Sequence, residues 1–334
     1  MIYFIPHQDF FYTRMMLFSW MCDSAPTILS QSNGEHFVEH LKKDGLSTTK
    51  LIVINCNDIN DINDIDDHFI DPIKEYLLST KKDIIFFSTD EKSIVVKHFV
   101  EHLDKNQHKN IHYFCDGDTE SYCFINKRFC SSTIKNTISN ALKLEKQWLI
   151  KEVKETYKKF DHKTLLSSTP LIASGEFNAF MLISNPLKFR WVAILLAEII
   201  NRVVQEERPD SYTIVAVSLR GAAIAGAVWE ILHYLSGPKI HIVDHIGPRH
   251  DILEAPNRDQ NLGLGYCVYI GDFLIAGTEA KIASAYCNFL GGRVRHAFVI
   301  GKYTKQESLG SDMKLHSLVS LRDCCIDNLS YSLD

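Results

Sequence analysis

The 334-residue chain has no surplus of basic charge: 36 Lys and Arg stand against 41 Asp and Glu, a formal net charge of −5. A general nucleic-acid or anionic-membrane surface is therefore not indicated. Its nine cysteines contain no C-x-x-C pair and no Cys/His zinc spacing. Cys22, Cys56, Cys115 and the vicinal Cys324-Cys325 read as reduced thiols, which points to the cytoplasm. No apolar run has the length of a membrane span. Met15 to Cys22 is short and follows Asp9 rather than a basic leader, so it reads as a buried amphipathic helix. The Asn- and Asp-rich stretch from Asn57 to Asp67 lacks the glycine and the closing Glu of an EF-hand, and reads as a solvated loop.

At 46% hydrophobic and 23% charged, the composition is that of a globular protein with true cores, and the length suggests two domains. Met1 to Ile5 reads as a strand, followed by a helix through Met16 and Trp20. Gly34 to Lys43 and Ile70 to Leu78 have helical spacing; Leu51 to Ile54, Asp83 to Phe87 and Ile111 to Phe114 are apolar strand runs. With a further helix at Lys92 to Leu103, this alternation predicts a small parallel α/β unit of Rossmann-like type over residues 1–130. Asp116 and Asp118 follow its last strand, where such sheets place ligands, although paired acids also simply form turns. Residues 131–163 read as a linker, one long charged helix running from Thr133 to Phe160 with its charges on a solvated face. A second α/β domain then occupies 164–334.

That domain carries the legible chemistry. Val268-Tyr269-Ile270 reads as a buried strand. It turns through Gly271-Asp272, passes Ala276-Gly277-Thr278, and enters a helix stopped by Gly291-Gly292. A strand, a small-residue turn and a helix amino terminus suit an anion, because free N–H groups and the helix dipole both point at it. One strand and one helix earlier, Tyr212 to Val217 ends at Ser218-Leu219-Arg220-Gly221. There a glycine admits close approach and an arginine supplies charge ahead of another helix. Between the two lies a long polar segment, Asp244 to Gly265, which holds Arg249, His250 and Arg258 and no lysine. A loop of that length reads either as functional or as an exposed, disordered segment.

At these residues the sequence resembles the type I phosphoribosyltransferases, and among them the orotate phosphoribosyltransferase branch. That family's signature is an apolar strand, two adjacent acids, a few apolar residues, then a Thr/Ala-Gly-Thr loop and a helix. Here Gly271 stands at the first acid, Asp272 at the second, and Ala276-Gly277-Thr278 at the loop. Gly175-Glu176-Phe177 resembles part of the family's hood, whereas Ile183-Ser184-Asn185 replaces its basic Lys-Ser-Gly-Arg segment. The resemblance covers roughly residues 165–305. It implies a type I phosphoribosyltransferase fold with a parallel sheet and a hood, and homodimers by analogy.

The resemblance further implies a site for phosphoribosyl pyrophosphate (PRPP) with Mg2+. Ile275, Ala276, Gly277 and Thr278 would cradle the 5-phosphate. Ser218, Leu219, Arg220 and Gly221 would hold pyrophosphate, and Asp272 would meet the ribose hydroxyls and the metal. Arg249 and His250 are the catalytic candidates on the loop, while Phe177 and Arg258 would face the base. Gly271 removes one charged hydrogen-bond acceptor, a loss of about 1.5–3 kcal/mol, and Glu279 brings negative charge close to the phosphate loop. Two functions stay open: an enzyme that transfers a ribosyl phosphate group between PRPP and a nucleobase or related acceptor, and a catalytically impaired sensor that binds PRPP or a nucleotide.

Overall fold

The computed structural model describes residues 2–6, 10–16, 31, 34, 35, 38, 39, 42, 51–58, 67–79, 83–88, 111–115, 131–166, 171–243, 264–310, 312–326 and 329–333. The chain divides into two compact units, Met1–Gln147 and Trp148–Asp334. Both are α/β with largely parallel sheets, as the alternation of strands and helices predicts.

The first unit holds a five-stranded sheet in the order β1-β2-β3-β4-β5. Its strands are β1 (Ile2–Pro6), β2 (Phe11–Met16), β3 (Leu51–Asp58), β4 (Asp83–Ser88) and β5 (Ile111–Cys115). Only β1 and β2 pair antiparallel; the β2-β3, β3-β4 and β4-β5 pairs are parallel. The helix Asp67–Ser79 connects β3 to β4, and Phe69, Ile73, Ile52, Val53, Ile54, Phe86 and Phe87 form the core. The helix expected through Met16 begins instead as strand β2. Phe11, Tyr12 and Thr13 favour a pleated surface, and pairing with β1 on one side and β3 on the other captures the segment. Residues 17–22, the helix at Lys92–Leu103, Asp116 and Asp118 lie outside the described residues.

The long helix runs from Ser131 to Glu155, ending earlier than its periodicity suggests because Tyr157–Leu165 is strand β6. Its charges are not all solvated. Glu145 and Glu152 are buried. Glu145 accepts from Arg14 at 2.7 Å and from the Tyr12 hydroxyl at 3.0 Å, and Asn55 donates to that hydroxyl at 2.8 Å. Within the second unit, Glu152 pairs with Lys188.

The second unit is built on a six-stranded sheet, order β12-β13-β11-β10-β8-β9. Here β8 is Tyr212–Val217, β9 Lys239–Val243, β10 Gly265–Leu274, β11 Gly292–Lys302, β12 Ser308–Leu309 and β13 Met313–Ser320. All these pairs are parallel except β12-β13. A parallel sheet needs both faces covered, and the alternation of side chains shows how this is done. Val215, Tyr269, Ala297 and Val299 pack with Ala283, Cys287 and Leu290 around the helix Thr278–Phe289. The intervening residues Ile214, Val268, Ile270 and Phe298 are also buried, and the helices Pro186–Glu207 and Leu219–Ser236 lie against this sheet and each other.

A separate three-stranded antiparallel sheet, β14-β7-β6, forms the hood. Its centre is β7, Leu171–Phe177, and its third strand is β14, Tyr331–Leu333. Gly175 is required there, since a Cβ would lie 2.4 Å from the Tyr157 hydroxyl.

Candidate functional site

Strand β10 is buried from Cys267 through Asp272, so its carboxyl end delivers consecutive residues to opposite faces of the sheet. Asp272, 8% exposed, meets the turn after β8: Arg220 Nε lies 3.1 Å from its Oδ2. Its Oδ1 accepts from the Phe273 N–H at 2.6 Å. The ion pair bridges the two turns that the sequence singles out as anion sites.

The first turn is held by Ser218, which caps the helix Leu219–Ser236 and accepts from the Gly221 N–H at 3.3 Å. Its backbone sits at φ 81°, ψ 153°, a region that ordinarily belongs to glycine and costs on the order of 1–3 kcal/mol. A buried β-strand on one side and a capped helix on the other hold it there. The result is a turn that projects Leu219, 72% exposed, and aims Arg220 inward at Asp272. Arg220 also lies 6.0 Å from the centre of the Phe180 ring.

The second turn is Ile275-Ala276-Gly277. Gly277 has φ 75° and caps the helix that starts at Thr278. A Cβ on Gly277 would also come within 2.6 Å of Leu309 Cδ1, so conformation and packing both demand glycine. Ile275 packs its side chain with the cluster of Leu166 and Leu171, and Ala276, Gly277 and Thr278 line the cavity beside it.

Phe177, Arg220, Asp272 and Ile275 through Thr278 line one cavity. Ser218, Leu219 and Gly221 shape the turn that presents Arg220. Arg249, His250 and Arg258 lie outside the described residues. Phe177 stands 5.1 Å from Tyr157 and 5.2 Å from Phe273 between ring centres, an aromatic row leading from the hood to the β10 turn.

Among the further lining residues, Glu176, Tyr269 and Tyr331 are given no binding role by the sequence, and Glu279 is marked there only for its charge near the loop. Tyr331 comes from the chain's far end, through β14, and stacks edge-on with Tyr303 at 4.8 Å. No local pattern announces it. Tyr269 is legible in principle: it lies two residues before Gly271 on the same strand face, and its ring lies over that glycine, so that a Cβ on Gly271 would be 2.7 Å from the Tyr269 hydroxyl. Tyr269 and Glu279 line the same cavity. Burial pushes the Glu279 carboxyl up to about 7, with the negative charge of Asp272 adding to the rise and Arg220 opposing it.

Among the described residues no group of three or more His, Cys, Asp and Glu side chains forms a metal site, and no helix is long and apolar enough to cross a membrane. Asp272 already has both oxygens engaged by protein donors. A protein-built Mg2+ cage does not fit this arrangement. A Mg2+ ion arriving on a diphosphate does, because Mg2+ is usually held by one or two carboxylates together with substrate phosphates.

No family model matches the chain, and no curated protein matches it. Among solved structures, it is similar to orotate phosphoribosyltransferase from Aeropyrum pernix at 18% identity, over 54% of this chain and 94% of that one, with a TM-score of 0.37. UMP synthase from Leishmania donovani aligns at 12% identity over 88% of this chain and 75% of that one, TM-score 0.38. Adenine phosphoribosyltransferase from Trypanosoma brucei aligns at 12% identity over 54% and 82%, TM-score 0.36. Scores this low leave the case for the site on its own geometry.

Proposed function

We propose that the second unit is a phosphoribosyltransferase-like domain that binds PRPP or a nucleotide and transfers a ribosyl phosphate group between PRPP and a nucleobase or related acceptor. The observation that carries this reading is the Arg220–Asp272 bridge between two helix-opening turns, at 3.1 Å, with Gly277 and Thr278 on the same cavity wall. A sugar phosphate laid against the loop from Ile275 to Thr278 would receive backbone N–H groups and the positive helix end at its phosphate. Asp272 would accept from a ribose hydroxyl. Arg220, released from Asp272 as the ligand enters, would offer its charge to pyrophosphate.

Mg2+ carried on the ligand would neutralise the leaving diphosphate, with Asp272 as its protein carboxylate. What the chain itself supplies is orientation and shelter. Gripping the sugar at both ends and covering it with the hood favours an oxocarbenium-like state over hydrolysis. Phe177 supports a flat acceptor, since an aromatic ring favours offset or edge stacking against another.

A second reading, a sensor of PRPP or nucleotide without turnover, draws on two observations. The Tyr269 ring takes the space of the first acid at Gly271, and Arg220 is already committed to Asp272. Calorimetry separates these readings. Wild type should bind PRPP with Mg2+ saturably, and Asp272→Ala combined with Thr278→Ala should lose that heat. Pyrophosphate release with a panel of bases then distinguishes enzyme from sensor. Absence of heat with and without bases would overturn both.

A further inference from the structure

We infer that Glu279 is the second sugar-facing carboxylate of this site, supplied by the helix in place of the acid missing from the strand at position 271. The inference rests on the sugar-phosphate reading above and deepens it.

It begins with space. Gly271 carries no side chain, and the volume in front of it is not open: a Cβ there would lie 2.7 Å from the hydroxyl and 2.9 Å from Cε1 of Tyr269. An acid at 271 cannot coexist with this tyrosine, which is 3% exposed and packed into the core beneath the helix Thr278–Phe289. The ring that excludes an acid at 271 lines the same cavity as Glu279, which stands in the first turn of that helix. Glycine at 271, tyrosine at 269 and glutamate at 279 are thus one substitution in three parts. The strand gives up a carboxylate, the ring fills the gap, and the helix returns a carboxylate to the same cavity.

Charge supports the placement. Glu279, Asp272, Arg220 and Thr278 line one cavity, and the charges of Asp272 and Arg220 act on the Glu279 carboxyl in opposite senses. A sugar whose phosphate sits at Thr278 brings its ring hydroxyls between these groups. A vicinal diol offers donors that carboxylates accept. The opposing role for Glu279, plain repulsion of phosphate, makes a different prediction: its removal would strengthen every phosphate ligand alike.

The test compares two probes by calorimetry on the full chain, ribose 5-phosphate and inorganic phosphate. Wild type is expected to prefer ribose 5-phosphate. Glu279→Gln keeps the shape and removes the charge, and should reduce that preference about 10-fold or more while phosphate affinity holds or rises. Tyr269→Phe, which keeps the ring and removes a hydroxyl from the cavity that Glu279 lines, should reduce it in the same direction by less. An unchanged preference in Glu279→Gln, with both probes tightened equally or not at all, overturns the role of Glu279 and leaves the sugar-phosphate site standing. Failure of wild type to bind either probe overturns the site itself and this role with it.

Discussion

Gly277 shows how much a single backbone angle does in this protein. At φ 75° any other residue meets the left-handed penalty, roughly 1–2 kcal/mol. Here the Leu309 methyls also stand within 2.7 Å of the position of a Cβ, and overpacking adds roughly 1–3 kcal/mol. Gly277→Ala is therefore expected to lower the stability of the second unit by a few kcal/mol, about the sum of those terms, and to displace the Thr278 end of the helix. Denaturant unfolding followed by tryptophan fluorescence measures the first effect, and loss of PRPP heat the second. A variant as stable as wild type would mean that the loop relaxes without strain. Ser218, at φ 81°, is the converse case. A hydroxyl is kept where glycine would be easier, and that hydroxyl caps the Gly221 N–H.

Between elements, the most consequential polar contact outside the site joins the end of the helix Pro186–Glu207 to strands β10, β11 and β13. Glu207 takes His296 Nε2 at 3.0 Å, Lys314 at 3.1 Å and the Tyr266 hydroxyl at 3.0 Å. His296 Nδ1 lies 2.9 Å from His316 Nε2. One tautomer pattern satisfies the chain: His316 donates to His296, and His296 donates to Glu207. Burial holds both imidazoles below the ordinary histidine range, His316 at about 4, with Lys302, Lys314 and the facing imidazole adding to the effect on His316. The folded state thus prefers neutral rings, while the unfolded chain takes up protons near 6.5. Stability from these groups is full above that value and is lost as pH falls from about 6.5 towards 4. The melting temperature of the second unit should fall over that window, and His316→Gln should flatten the fall. Identical slopes in wild type and variant would remove the histidine pair as the cause.

At the scale of the whole molecule, each unit closes its core with a buried charge that the sequence disguises. In the first, Arg14 and Glu145 are both nearly inaccessible and 2.7 Å apart. Removing one member of such a pair typically costs about 3–5 kcal/mol, because the other charge keeps its desolvation penalty. Glu145→Gln should lower the first unit's unfolding midpoint strongly while leaving the PRPP binding proposed for the second unit in place at moderate temperature. Calorimetric unfolding paired with the binding titration tests this, and an unaltered first transition would refute it.

Much of this architecture was legible beforehand, and what was legible is local. Apolar runs such as Tyr212–Val217 announce buried parallel strands because a strand covered on both faces must be apolar throughout. The Ser218-to-Gly221 turn and the loop from Ala276 to Thr278 announce helix starts because only certain residues tolerate those angles. The missing acid at Gly271 was equally plain. Other features depended on partners distant in sequence. Phe11–Met16 became a strand because Ile2–Pro6 and Leu51–Asp58 pair with it. The charged helix buried Glu145 because Arg14, 131 positions away, waited for it. Tyr331 joined the cavity through a three-residue strand on the hood.

The sequence alone therefore determined the periodicities, the turns and the inventory of charged groups, since these follow from backbone sterics and side-chain chemistry over a few residues. Only the tertiary structure decided that Tyr269 closes the space before Gly271 and that Glu279 lines the same cavity as Asp272. A side chain's neighbours across a strand and a helix are set by packing, and packing is a property of the folded chain as a whole.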